Sequence, residues 1–272
     1  MSSRPALFGI VNITEDSFSD GGRFLGAGAA LAHARALVSG GADALDLGAA
    51  SSNPDAKPVA ADIEIERLAP VVSALKSEGV AVSVDSFSLP VQRWALRQQV
   101  EFVNDIAGFP HAELYPELAA SDARLIVMHA VQGGLSAPWI PVPADEILER
   151  VLRFFDARLA VLEKAGIARE RLIVDPGMGF FLGTVPEASY TMLRAIPVLK
   201  AAYGLPVLVS VSRKSFLRAL TGRKSQEAGA ASLGAELFAA RMGVDFIRTH
   251  DPGALKDALT VTGVLDGTSL GA

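Results

Sequence analysis

Two kinds of hydrophobic pattern alternate from one end of this chain to the other. Short, mostly apolar runs occur at Leu7–Val11, Ala44–Leu47, Val80–Val84, Glu101–Val103, Arg124–Met128, Leu172–Val174, Pro206–Val209 and Asp245–Ile247. Runs this short, without polar alternation, suit strands buried on both faces. Between them the spacing predicts helices at Ala27–Ser39, Asp62–Glu78, Leu89–Gln98, Ala112–Ala120, Asp145–Ala165, Glu187–Tyr203, Glu227–Met242 and Ala254–Leu265. Gly40-Gly41, Gly79, Gly166, Gly204 and Gly243 stand just before the next strand, where a helix C-terminus takes a left-handed residue. Eight strands, each followed by a helix, predict an α/β fold made of one (β/α)8 TIM barrel spanning residues 1–272. The alternative, a doubly wound open sheet, usually carries a glycine-rich dinucleotide fingerprint after its first strand, and none is present.

The strands are apolar, but their ends are not. Leu172–Gly183 reads LIVDPGMGFFLG, an apolar run that stops at Asp175 because Pro176 cannot donate to a ladder and Gly177 invites a turn. A carboxylate at the mouth of a buried strand is costly unless donors reach it. Asn12, Asp46, Asp85, Asn104-Asp105, His129, Ser212-Arg213-Lys214 and Arg248-Thr249-His250 end the other strands. In a barrel these positions share one rim, the face where active sites form. Acids, amides and basic groups together suit a flat polar heterocycle at one end and an anion at the other.

Composition narrows the classes. The 272 residues carry 25 Lys+Arg against 30 Asp+Glu, a net charge of −5 that argues against nucleic acid or an anionic membrane as partner. There is no cysteine, so neither a disulfide framework nor a thiolate metal site is expected. No apolar run reaches about 18 residues, so no membrane span is expected. The first residues show no signal-peptide pattern. A soluble cytoplasmic protein is the expectation.

Several motifs then stand out in order: GIVNITEDSFSDGG at Gly9–Gly22, SVDSF at Ser83–Phe87, NDIAGF at Asn104–Phe109, VMH at Val127–His129, DPGMGF at Asp175–Phe180, VSVSRKSF at Val209–Phe216 and FIRTHD at Phe246–Asp251. In this order and spacing, over essentially the whole chain, the sequence resembles dihydropteroate synthase. ASSNPDAKPV at Ala50–Val59 and DPGMGFFLG at Asp175–Gly183 are most similar to the sulfonamide-insensitive, Sul-type subfamily.

The resemblance implies condensation of 6-hydroxymethyl-7,8-dihydropterin diphosphate with p-aminobenzoate, giving dihydropteroate and diphosphate. A pterin presents an amino group and a ring N–H side by side, a pair of donors that a carboxylate can accept. Asp175 is the first choice for that role, with Asp85 and Asn104 along the ring's edge, Lys214 donating to the ring, and Met128 covering its apolar face. The family mechanism is dissociative: diphosphate leaves first, and the amine captures a pterin methylene cation. That path needs stabilisation of the leaving anion more than a base. Lys214, Arg248 and His250 are the expected catalytic groups, with Mg²⁺ held near Asn12. Ser212, Ser52, Phe180 and Phe181 complete the expected substrate-binding set. The family is usually homodimeric, and the late helices, including Glu236–Met242, are the candidate surface.

Plainer readings apply elsewhere. Asp46 is followed by Gly48 and is read as a loop cap outside the site. Asn104 and Asp105 cannot point the same way on an extended chain, so one of them is structural. His129 reads as a satisfied rim histidine, and His33 and His111 are assigned nothing. Glu64 and Glu66 read as first-turn acids that favour the helix dipole and do no more. Asn12, taken alone, is equally a turn residue.

Other enzymes on this fold fit less well. Pterin-binding methyltransferase domains need no diphosphate site, so Arg248, His250 and the Asn12 loop argue against them. The intact Ser212–Lys214 triplet and Thr14–Gly22 loop argue against a non-catalytic pterin binder. A zinc hydrolase would want His-x-His after the first strand, which is absent.

The sequence also departs from the common pattern of the family it resembles. Most members have Glu-Ser-Thr-Arg-Pro after the second strand; here Ala50-Ser51-Ser52-Asn53-Pro54 lacks the arginine, and Asn53 cannot supply its charge. The DPGMGFFLGTVPE loop is two residues longer than usual. Its tandem Phe180-Phe181-Leu182 is expected to push an aromatic ring toward the mouth of the p-aminobenzoate pocket, where a bulkier sulfonamide would clash.

Overall fold

The computed structural model describes residues 4–13, 23–50, 58–131 and 140–267. Its strands are β1 (Ala6–Asn12), β2 (Ala44–Gly48), β3 (Val82–Asp85), β4 (Phe102–Asp105), β5 (Arg124–Met128), β6 (Leu172–Asp175), β7 (Leu208–Val209) and β8 (Phe246–Thr249). All neighbours pair in parallel in the order β6-β5-β4-β3-β2-β1-β8-β7. A parallel bridge between Val174 and Val207 brings the two ends of that sheet together. The expected (β/α)8 barrel is the observed one.

Helices α1 (Arg23–Ser39), α2 (Ala61–Ser77), α3 (Leu89–Arg97), α4 (Tyr115–Ala120) and α5 (Ile147–Lys164) fill the first five crossovers. Next come α6 (Pro186–Arg194), α7 (Ile196–Tyr203), α8 (Ser215–Thr221), α9 (Gly229–Arg241) and α10 (Pro252–Leu265). The helix expected over Glu187–Tyr203 is two helices that meet at Ala195, because Pro197 in the first turn of α7 has no N–H to continue the ladder. Helix α8 was not expected; seven residues are too few to show a period. The stretch from Ala112 begins with a 3₁₀ turn before α4.

Strand side chains obey the period of two that the apolar runs conceal. Leu7, Val11, Leu45, Leu47, Val82, Val84, Val103, Leu125, Val127, Leu172, Val174 and Ile247 face the helices in one large core. The opposite set lines the barrel. At its N-terminal end Phe8, Ala44, Ile126, Ile173, Leu208 and Phe246 form a separate apolar plug, with Phe102 packed against it. Toward the C-terminal end the same inward positions become Asp46, Asp85, Asn104, Asp175 and Arg248. Among the described residues no helix is long and apolar enough to cross a membrane.

Candidate active site

Strand register sets the rim. Gly48 pairs with Asp85, Asp85 with Asn104, and Met128 with Asp175, so these residues stand at matching heights around the mouth. Arg248 projects from β8 across the barrel and reaches two carboxylates. Its Nη2 donates to Asp85 Oδ2 at 2.6 Å, and its Nε donates to Asp46 Oδ2. Asn104 Nδ2 donates to that same Asp46 oxygen at 3.3 Å. Asp46 therefore belongs to the site, contrary to its reading as a loop cap; it is 0% exposed. Its Oδ1 and the Oδ1 of Asn104 have no hydrogen-bond partner. Two buried acceptors without donors, at the mouth of a barrel, make a cradle for a ligand that brings its own N–H groups.

Asp175 is buried beside them. It is not unpartnered in the free chain: its Oδ1 accepts the Gly177 N–H at 2.8 Å. That turn requires glycine, since Gly177 has φ of 73° and a Cβ there would lie 2.4 Å from the His129 carbonyl. Burial pushes the Asp175 carboxyl up to about 6, against the pull of Gly177 N–H, Lys214 and Arg248. Burial likewise pushes Asp85 up to about 7, opposed chiefly by Arg248. Lys214 is pushed down to about 8 by burial and by Arg248, with Asp175 and Asp85 pulling the other way. Arg248 is buried as well, but Asp46 and Asp85 outweigh that and raise its pKa.

An apolar wall completes the mouth. Met128, Ile106, Ala130 and Phe181 pack together, with Phe87 and Phe180 against them. Lys214 Nζ lies 4.9 Å from the Phe181 ring centroid, close enough for a cation–π contact. Phe180 and Phe181 belong to the 3₁₀ turn Gly179–Leu182. Phe181 faces the interior, whereas Phe180 lines a cavity of about 260 Å³ between this turn, α6 and α8, together with Ser215, Phe216 and Arg218.

The chain after β7 turns sharply. Arg213 adopts a left-handed conformation with φ of 59°, uncommon for a non-glycine residue and found often at functional sites. Its N–H is held by Ser232 Oγ at 2.9 Å. Ser212, on the inner side, lies 2.9 Å from His250 Nδ1 and accepts the His250 backbone N–H at 3.3 Å. Burial, reinforced by Arg213, Arg248 and Lys214, pushes His250 down to about 3.

Asp85, Asn104, Met128, Asp175, Phe181, Lys214 and Arg248 thus gather at one mouth, with Ser212 and His250 joined to each other beside it. Asn12 ends β1 with an exposed side chain, level with Gly48. Ser52 lies outside the described residues. Of the Asn104–Asp105 pair, Asp105 is the structural one: it takes the N–H groups of Ala107 and Phe109 and the Gln92 amide. His129 is the expected satisfied rim histidine, its Nδ1 3.1 Å from the Pro176 carbonyl. Glu64 corrects the dipole reading, since it is buried and accepts a hydrogen bond from Ser86 Oγ at 3.0 Å.

The fold and this donor–acceptor cradle define a class. The model of the pterin binding enzyme family matches residues 8–250, and the chain belongs to that family. Dihydropteroate synthase type-2 of Escherichia coli is 55% identical over 269 residues, covering 99% of both chains. Xanthomonas albilineans dihydropteroate synthase with 4-aminobenzoic acid aligns with a TM-score of 0.88 at 36% identity, over 97% of this chain and 93% of that one. The dihydropteroate synthase from that organism in complex with 7,8-dihydropteroate aligns at 0.83 and 34% identity, over 97% and 94%. Within its family the chain falls among the dihydropteroate synthases.

Proposed function

We propose that this chain condenses 6-hydroxymethyl-7,8-dihydropterin diphosphate with p-aminobenzoate, releasing diphosphate and giving dihydropteroate. The observation that carries the assignment of roles is the pair of partnerless buried acceptors, Asp46 Oδ1 and Asn104 Oδ1, beside Asp175. A pterin's amino group and ring N–H donate to Asp175, its remaining N–H groups supply the donors that Asp46 and Asn104 lack, and Met128 offers a polarisable surface to its face. Asp85 borders the ring's edge, and Lys214 donates to its carbonyl or a ring nitrogen. In the reaction the C–O bond to diphosphate breaks and the oxygen keeps the electron pair. The methylene cation is captured by the arylamine nitrogen, which sheds a proton as the C–N bond forms. Arg248, Lys214 and His250 act on the departing anion, in a site dry enough for such charges to count heavily. Ser212 orients His250, and Ser52 contributes to the substrate loop. Production of dihydropteroate from the two substrates tests the whole reading; a purified chain that binds pterin but yields no product defeats it.

Mg²⁺ belongs to the same reading. Among the described residues there is no cluster of three acids or histidines that could cage a metal. A neutral amide oxygen from Asn12, completed by phosphate oxygens of the substrate and water, suits Mg²⁺, which rarely uses an all-protein cage. When bound there it would add positive charge at the leaving group. The chain is also read as a cytoplasmic homodimer. Leu220 on α8, Phe238 on α9, and Val261, Val264 and Leu265 on α10 are exposed apolar residues on neighbouring helices. A monomeric mass by light scattering would count against the dimer.

The enzyme is further read as sulfonamide-insensitive, with Phe180 or Phe181 as the discriminating ring. A clash of about 3–4 kcal/mol weakens an inhibitor several hundredfold. Removing two residues from Phe181–Thr184 should restore inhibition with little change in p-aminobenzoate use. An active shortened enzyme that still ignores sulfonamide would reject this part.

A further inference from the structure

The cavity behind Phe180 has no part in the mechanism above. It holds about 260 Å³ between the Gly179–Leu182 turn, α6 and α8, and its walls are pinned to one another. The Gly179 N–H donates to Ser189 Oγ at 3.0 Å, which ties the turn to α6. Tyr190 Oη donates to the Phe216 carbonyl at 3.1 Å, and the two rings meet edge-on with centroids 5.6 Å apart, which ties α6 to α8. Gly179 has φ of 67°, and a Cβ there would lie 3.0 Å from Ser215 Oγ, so the turn lies close against α8 as well. The protein's own contacts hold this space open.

Most of the lining is apolar, with Phe180, Val185, Pro186, Phe216 and Ala219 among it. Arg218 is the exception. It is the only charged residue among the described residues that line the cavity, and its Nε is buried without a hydrogen-bond partner. A guanidinium only donates and stays protonated, so this N–H wants an acceptor that the described chain does not supply. An apolar slot with one cation in its wall suits a hydrophobic ring with an anionic end. A free inorganic anion would leave the ring-lined walls unused. A cavity of about 150 Å³ holds benzene, so about 260 Å³ leaves room for a ring with a substituent at each end.

We propose that Arg218 is a specificity residue for the second substrate: it takes the carboxylate of p-aminobenzoate and so selects an anionic arylamine over a neutral one. This rests on the reading of the Phe180–Leu182 turn as the edge of the p-aminobenzoate pocket. The carboxylate is ionised at neutral pH, and the amine stands at the opposite end of the ring. Lys214, read as a donor to the pterin, immediately precedes α8. The same stretch of chain therefore carries the partner of each substrate, with the reacting ends between them. A carboxylate accepts charge-assisted hydrogen bonds from a guanidinium, whereas a neutral amide in its place brings no charge to the pair.

Steady-state kinetics of the full chain at saturating pterin diphosphate decides. Arg218→Leu should raise KM for p-aminobenzoate about tenfold or more, the loss expected when a hydrogen bond between charged groups is removed. The same variant should use p-aminobenzamide, which has the ring and the amine but no charge, nearly as well as the native chain does. KM for the pterin diphosphate should not move. Arg218→Lys, which keeps the charge without the planar fork, should recover part of the p-aminobenzoate loss. A native KM for p-aminobenzoate in Arg218→Leu would overturn the proposal, and so would an equal loss for acid and amide, which is what a merely structural arginine gives. If Arg218→Leu does not fold, Arg218→Gln decides by the same comparison of acid with amide. A native chain that yields no dihydropteroate would defeat the function reading and this proposal with it. A native chain that yields it, with Arg218→Leu unchanged, defeats this proposal alone.

Discussion

The two ends of the barrel interior are built from the same strands and do opposite things. At the N-terminal end Phe8 meets Phe102 and Phe246 edge-on, with ring centroids 4.9 and 5.5 Å apart. The guanidinium of Arg124 lies 5.0 Å from the Phe246 centroid and 5.6 Å from that of Phe102. Dispersion and cation–π contacts leave little there unsatisfied. At the C-terminal end, two residues further along each strand, Arg248 bridges Asp46 and Asp85, and buried oxygens go without partners. One end lowers the energy of the empty protein. The other holds groups whose energy falls only when a ligand arrives.

That contrast can be broken most forcefully at Arg248. Arg248→Ala leaves Asp46 and Asp85 facing each other without their cation, so kcat/KM should fall by about a thousandfold or more. Stability should fall too, by about 3–5 kcal/mol in chemical denaturation, because a buried charge loses its partner. Phe8→Ala is the matching change at the other end. It should cost about 3–5 kcal/mol of stability through the cavity it opens. Below the unfolding transition, though, kcat/KM should stay within about twofold of the native value. If Phe8→Ala lowered kcat/KM as Arg248→Ala does, the two ends would not be separable in function.

Asp175→Asn sharpens the comparison by splitting binding from stability. Pterin affinity, read by calorimetry, should drop by about 2–5 kcal/mol as a recognition charge is removed. Stability should move the other way. Burial holds the folded-state pKa at about 6, above the value in the unfolded chain, so the folded state binds the proton more tightly. The stabilisation is complete below the unfolded pKa and is lost as pH rises through about 6. At about pH 8 the native chain therefore carries a buried charge that Asn would not, and the variant should be more stable by about 2–3 kcal/mol. The smallest effect is the titration itself. Native pterin affinity should weaken about tenfold for each pH unit below about 6, and Asp175→Asn should show no such slope.

The barrel was legible because helix-facing residues are apolar along the strands, save Asp105 and Thr249 at the ends of β4 and β8, and because glycines mark the helix ends. The contrast between the barrel's two ends was not. Phe8, Ile126 and Ile173 are apolar like their outward neighbours, so the inward stripe cannot be distinguished until it turns polar. Asp175 and Asp85 were readable because each ends its strand, and Asn104 because it stands one residue before the end of β4. Asp46 was missed because it lies a full pleat inside β2, where the following Gly48 suggested a cap. A period-of-two reading of Ala44, Asp46 and Gly48 would have put it on the inner face. Glu64 was misread because a first-turn acid is ordinarily explained by the dipole, and nothing local announces Ser86. Glu236 was placed with the candidate dimer surface on the late helices, whereas it is buried on the inner face of α9.

The closure between β6 and β7 has a consequence for how the mouth can move. Every other seam of the barrel is a ladder of paired residues, whereas here the chain is joined at Val174 and Val207, with the Val174 N–H donating to the Pro206 carbonyl at 3.0 Å. The barrel is, in mechanical terms, a split ring with a clasp. Asp175 stands on one side of the clasp and Ser212 to Lys214 on the other, so the acid proposed to take the pterin and the base proposed to steady it ride on opposite lips. Widening that gap breaks fewer backbone hydrogen bonds than widening any other part of the rim. Amide exchange should accordingly be faster at Val174 than at Val127 or Leu47, whose strands are laddered on both sides.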